Sequence, residues 1–139
     1  MADFPDDRPL PVLVEGPLEQ IDCMTGEREL HARMAVEARG GQVTSFAYYS
    51  RWNFYTCSLD LHRVDPTIKW RKTAAGATRV QTPNGSFIIH AHADRYVFEF
   101  HDVERMRFCG MYGRTNGTMT IKRGLAEPEC SADRILERY

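Results

Sequence analysis

No stretch of this 139-residue chain approaches the ~18 consecutive apolar residues that a membrane helix requires. The apolar runs are short, as in Phe46-Ala47-Tyr48-Tyr49. An excess of one charge sign is also missing: 18 Lys and Arg stand against 19 Asp and Glu, a formal net charge of −1. That balance speaks against a nucleic-acid binder held by phosphate neutralisation and against a polybasic membrane-surface protein. The cysteines Cys23, Cys57, Cys109 and Cys130 show no C-x-x-C spacing, so zinc-ribbon and thioredoxin readings fail. There is no G-x-G-x-x-G or phosphate loop, and nucleotide cofactors are not indicated. No Ser or Cys sits in a nucleophile elbow, and no internal repeat stands out.

The opening residues Met1-Ala2-Asp3-Phe4-Pro5-Asp6-Asp7 lack the basic start and apolar continuation of a secretory signal. A cytoplasmic protein is therefore expected. Free thiols follow from that expectation, because the cytosol keeps cysteines reduced. An exported chain would instead pair them in two disulfides.

Hydrophobic residues make up 42% of the chain and aromatics 11%, which suits a globular fold. Residues 1–11, with Pro5, Pro9 and Pro11, read as a flexible arm, followed by a single domain over 12–139 whose first short strand is Val12-Leu13-Val14. From about residue 29 to residue 123 the apolar pattern has period two, with turn residues every 8–12 positions, the signature of an all-β sandwich or barrel. Leu30, Met34, Val36 and Ala38 alternate with His31, Arg33, Glu37 and Arg39 before a Gly40-Gly41 turn. The next strand, Val43 to Tyr49, ends in a turn over Ser50 to Asn53, and Tyr55, Cys57, Leu59 and Leu61 then share one face of a strand. Short strands at Thr67 to Lys72 and Thr78 to Gln81 precede a turn at Pro83-Asn84-Gly85.

A two-residue loop at Ala93-Asp94 sets Ala91 opposite Tyr96, Ile89 opposite Phe98 and Phe87 opposite Phe100, with all six on one face. Residues 104–112 predict a strand carrying Met106, Phe108 and Tyr112 on one face. Asn116-Gly117 predicts a turn into Thr118 to Arg123, and Ser131 reads as the N-cap of a short C-terminal helix. Eight or nine consecutive antiparallel strands form a meander, and a long meander curls shut to remove its edges. The expectation is an up-and-down β-barrel of calycin type, of a size that side chains fill or that holds one small ligand.

Two constellations carry candidate chemistry. The first is the inner aromatic face. Tyr55, Tyr96 and Tyr112 are candidate catalytic phenols, and Cys57, Phe87, Ile89, Phe98, Phe100, Phe108 and Trp52 are candidate ligand contacts. A barrel core is the plainer account of the phenylalanines. The second is His90-Ala91-His92 beside Glu99 and His101 on the next strand. Imidazoles and a carboxylate can hold zinc or iron. Glu99 lies seven residues beyond His92, not the three to four of a cupin motif, so polar residues on an outer face are the preferred account and no metal is expected.

The stretch Gly110-Met111-Tyr112-Gly113-Arg114-Thr115-Asn116-Gly117-Thr118-Met119-Thr120 resembles the late strands of allene oxide cyclase and dirigent barrels. It is also similar to the small spirotetronate cyclases. The resemblance covers roughly residues 84–138, includes Asn84-Gly85, Ala93-Asp94 and the closing Ser131-Ala132-Asp133-Arg134-Ile135-Leu136, and assigns no catalytic residue by position. It implies a cofactor-free barrel enzyme that folds a reactive polyene in an apolar lumen. Rate enhancement there would come from proximity and conformer selection, aided by one Tyr or Trp hydrogen bond to a substrate carbonyl.

The leading expectation is thus lumenal binding of an apolar small molecule, with cyclase activity as its specific form. The alternatives are a non-enzymatic protein-binding module of inhibitor or immunity type, using its outer polar face or the Trp52 loop, and a His-x-His metalloenzyme. No nucleic-acid or membrane partner is expected, and a homodimer is left open.

Overall fold

The computed structural model describes residues 7–52, 55–104 and 113–135. The side chains of Trp52 and Tyr55, the segment carrying Phe108 and Tyr112, and the end of the expected helix fall outside the described residues. Within them every regular element is a strand. These are β1 (Arg8–Pro9), β2 (Leu18–Glu27), β3 (Leu30–Arg39), β4 (Gln42–Trp52), β5 (Tyr55–His62), β6 (Lys69–Lys72), β7 (Thr78–Thr82), β8 (Gly85–Ala91), β9 (Arg95–Glu104), β10 (Arg114–Lys122) and β11 (Cys130–Asp133).

The strands form two antiparallel sheets, not one closed barrel. One has four strands in the order β2-β3-β4-β5; the other has seven, in the order β1-β6-β7-β8-β9-β10-β11. The meander is present, but it breaks between β5 and β6. There Asp65 accepts hydrogen bonds from the backbone N–H and the hydroxyl of Thr67 at 2.9 and 2.7 Å, closing a tight turn. The chain passes from one layer to the other at this turn, and β5 and β6 do not pair.

Alternation decides which side chains enter the space between the layers. Ala32, Met34, Val36, Phe46, Tyr48, Leu59 and Leu61 point inward from the smaller sheet, and Val80, Phe87, Ile89, Tyr96, Phe98, Phe100, Met119 and Ile121 from the larger. Together they make one core. Phe46 lies at its centre, with ring centroids 5.2 Å from Phe87, 5.0 Å from Phe98 and 5.9 Å from Trp70, and Tyr48 meets Phe100 at 4.9 Å. Edge-to-face and tilted pairs of this kind add to the area they bury.

The expected register of β8 and β9 is observed residue for residue: Ala91 faces Tyr96, Ile89 faces Phe98 and Phe87 faces Phe100. The Gly40-Gly41 turn is also present, with φ of 57° and 77°, a left-handed pair that a hairpin tolerates best as glycine. Other expectations are corrected. Asn116-Gly117 does not turn the chain. It sits inside β10 at an irregularity where His101 and Asp102 together oppose Asn116. Asp102 adopts φ of 51° there, and the Asn116 side chain both accepts from its N–H (3.0 Å) and donates to its carboxylate (3.1 Å). A β-carbon at Gly117 would lie 2.2 Å from the Asp133 carbonyl oxygen, so glycine is required by close approach.

Ser131 does not start a helix. Residues Cys130 to Asp133 pair with β10 as β11, and a Cys23–Cys130 disulfide ties that strand to β2 with a Cα separation of 6.1 Å. The described part of the arm is tied to the larger sheet: Arg8 and Pro9 pair with β6, and Asp7 accepts from Arg79 at 2.7 Å. Val12-Leu13-Val14 is not a strand, and β2, which sequence patterning passed over, occupies Leu18–Glu27.

Because Phe46 is 1% exposed and touches rings from three strands of the opposite sheet, Phe46→Ala is expected to remove about 3–5 kcal/mol of stability. Thr120→Ala, on the outer face of the larger sheet, should change it by less than about 0.5 kcal/mol. Urea unfolding of the two variants against the parent checks both.

Candidate functional site

Of the residues expected to line a lumen, Phe87, Ile89, Phe98 and Phe100 are brought together, as neighbours in a packed core. Phe87, Ile89, Phe98 and Phe100 are each at most 2% exposed, and the Phe87 and Phe100 rings lie 5.0 Å apart. Cys57 is buried and disulfide-bonded, as are Cys23 and Cys130, and no cysteine among the described residues is free. The expectation of free thiols is therefore corrected. The Cys23–Cys130 bridge joins β2 of the smaller sheet to β11 of the larger one.

Tyr96, a candidate catalytic phenol, is fully buried and committed. Its hydroxyl donates to Glu19 Oε1 at 2.6 Å, and Arg123 Nε donates to Glu19 Oε2 at 3.1 Å. The Arg123 guanidinium lies 4.6 Å from the Tyr96 ring centroid and also donates to the His92 carbonyl at 2.6 Å. Burial, and then the hydrogen bond to Glu19, push the phenol well above its ordinary value. Burial would raise Glu19 too, but the hydrogen bonds from Arg123 and Tyr96 outweigh it and hold the carboxyl below its usual range. A phenol that keeps its proton and already donates its hydrogen bond to a resident carboxylate is not poised to polarise a substrate carbonyl. The arrangement is a clamp between β2 and the β9–β10 end of the larger sheet.

The histidines lie on the outer face of the larger sheet. Glu99 bridges His90 Nε2 and His101 Nε2, the latter at 3.0 Å, and the rings of His90 and His92 stack at 6.4 Å. Burial pulls the Glu99 carboxyl up, and the hydrogen bonds from His101 and His90 pull it further down, so its net shift is downward. Among the described residues no group of three or more His, Cys, Asp or Glu is arranged to hold a metal ion.

The outer face of the four-stranded sheet carries open grooves. Registers place Asp22, Ala35, Ala47 and Asp60 in one row across β2, β3, β4 and β5, and Gln20, Glu37, Ser45 and His62 in the next. The two alanines form a low floor between longer side chains. The result is a groove of about 380 Å³ lined by these rows. A second groove, of about 270 Å³, continues from Glu37, Ser45 and His62 toward Val12, Leu13 and Val64. Leu13 is 86% exposed and Val64 71%.

The backbone beside these apolar residues is tethered. Arg63 donates to the Val43 carbonyl at 3.0 Å and the Pro11 carbonyl at 3.2 Å, with its guanidinium 5.4 Å from the Trp70 ring centroid. Burial pushes the Arg63 guanidinium down from its ordinary value. Asp22 is paired with Arg33, whose hydrogen bond is the main cause of its lowered carboxyl. Glu37 accepts from the Ser45 hydroxyl at 3.3 Å, and neither Glu37 nor Asp60 has an ion-pair partner among the described residues. Ala35 and Ala47 carry no chemical signal in the sequence. They become visible as a floor only when the register puts them side by side.

Compared with protein-family models, curated proteins and solved structures, the chain matches none.

The Glu19 clamp sets a pH dependence. The folded-state carboxyl is depressed, so its contribution is complete above the unfolded value of about 4.3 and is lost as pH falls through the folded value. Glu19→Gln should therefore be less stable than the parent at pH 7, and the gap should narrow below pH ~4. Thermal unfolding of both proteins across pH 3–7 is the check, since Asp22 and Glu99 titrate alike in the two.

Proposed function

We propose that this chain is a non-enzymatic binding module, a disulfide-stapled β-sandwich that engages another macromolecule through the outer face of its four-stranded sheet. The observation that carries this reading is the pair of adjoining grooves on that face, which share Glu37, Ser45 and His62. Val12, Leu13 and Val64 line one groove together, and contiguous exposed apolar side chains rimmed by polar residues mark interaction surfaces. A rigid sheet presents them at little entropic cost.

The enclosed-lumen cyclase is the competing reading. It needs a cavity among Phe87, Ile89, Phe98 and Phe100 and a phenol free to reach a substrate, and the described interior favours it less. Those rings pack on Phe46, on Tyr48 and on one another, and the Tyr96 hydroxyl is spent on Glu19. An apolar small molecule that stays with the purified protein in native mass spectrometry would support the lumen reading instead.

The bonded cysteines support a reading of the compartment. Disulfides persist where thiols are not continuously reduced, so the chain is read as maturing in an oxidising compartment and not in the cytoplasm. No helix among the described residues is long and apolar enough to cross a membrane.

Two measurements test these statements. A photo-crosslinking residue at Ala47 is expected to yield a discrete protein adduct in the source cells, and the same residue at Thr120 none. Adducts from neither position, or equally from both, would sink the docking face. For the compartment, Cys23→Ala with Cys130→Ala opens a loop with a sequence separation of 107 and should cost about 4–5 kcal/mol in urea unfolding. Recovery from the source cells of folded protein with Cys23 and Cys130 reduced would contradict the assignment.

A further inference from the structure

We propose that the groove over Ala35 and Ala47 takes a basic, extended segment of a partner polypeptide, with an apolar end seated against Leu13 and Val64. This inference rests on the docking face argued above and adds the chemistry of what docks there.

The row Asp22-Ala35-Ala47-Asp60 crosses four strands, a span of roughly 14 Å at the ~4.8 Å spacing of paired strands. Four residues of an extended chain at ~3.3 Å each cover that distance. The alanines leave room for a backbone to lie across the sheet, with Asp22 and Asp60 at its ends and Gln20, Glu37 and His62 along one side. The charge of the lining is one-sided. Asp22, Glu37 and Asp60 line this groove with no Lys or Arg among them. Arg33 beside it is committed to Asp22. Glu37 and Asp60 are left without an ion-pair partner among the described residues.

The adjoining groove adds Arg39 and Arg63, but the Arg63 guanidinium is spent on two backbone carbonyls. The face thus runs from carboxylates at one end to Val12, Leu13 and Val64 at the other. A lysine or arginine placed over the alanine floor reaches Glu37 or Asp60, and an apolar side chain further along covers Leu13. Anionic partners are disfavoured by the same carboxylates, which argues against nucleic acid and acidic lipid surfaces as occupants.

The test uses the full chain with its disulfides intact, labelled with nitrogen-15. Two synthetic probes are titrated into it: Leu-Val-Leu followed by alternating lysine and serine, and the same peptide with glutamate replacing each lysine. The lysine probe should move the amide signals of Leu13, Ala35, Glu37, Ala47, Asp60 and Val64. The glutamate twin should bind about tenfold more weakly or worse. In Glu37→Gln with Asp60→Asn, whose remaining spectrum reports an unchanged fold, the preference for lysine should shrink to within about threefold.

Equal binding of both probes in the groove overturns the charge assignment while leaving the docking face in place. Shifts elsewhere, or none, overturn the groove as the binding position. Concentration-dependent shifts of the same residues without any probe would instead identify a second copy of this chain as the occupant. An empty result from the Ala47 crosslinker would remove the docking face itself.

Discussion

The Phe46 ring is the contact on which the two-layer arrangement depends. It projects from the smaller sheet and meets Trp70, Phe87 and Phe98, which come from β6, β8 and β9 of the larger one. Buried aromatic surface is the largest single source of core energy available to a chain of this size. The four phenylalanines whose packing is described, Phe46, Phe87, Phe98 and Phe100, are all spent on closing the gap between the sheets. Among the described residues a groove lies on the outside of the smaller sheet, over the alanines of β3 and β4.

Three different chemistries secure the margins of that core. On one side the Cys23–Cys130 disulfide joins β2 to β11 across a sequence separation of 107 residues, a long loop whose closure restricts the unfolded chain strongly. At the β9–β10 end, Glu19 takes hydrogen bonds from Tyr96 and Arg123 in a partly buried network. Such a network costs more to break by removing one member than it contributes as a whole, because the remaining groups are left unpaired. Near the β5–β6 crossing, Arg63 lies against Trp70 and holds two backbone carbonyls. The last of these keeps Leu13 and Val64 beside the groove, so a structural tether also shapes the binding face.

Local alternation made much of the strand set readable before any fold was known. The β8–β9 pairing was legible because a short turn and a period-two apolar pattern agree on one register. β2 was not legible: its inward positions are Glu19, Ile21, Cys23 and Thr25, a mixed face that patterning cannot separate from a loop. Glu19 and Cys23 are inward because of partners 77 and 107 residues away, a phenol and a thiol. Asn116-Gly117 has the composition of a hairpin turn, yet Asn116 caps Asp102 on the neighbouring strand and the chain runs on. The candidate phenol Tyr96 was correctly placed on the inner face, but its hydroxyl's partner could not be read from spacing.

By itself the order of residues determined an all-β chain, the faces of its clearest strands and the pairing of its central hairpin, because those features follow from periodicity and from turns a few residues long. Tertiary structure decided whether the meander closed into a barrel or split into layers, which cysteines joined, and where the open grooves fell. Each of those depends on contacts between residues distant in the chain, whose energies outweigh local preference only after the layers have met.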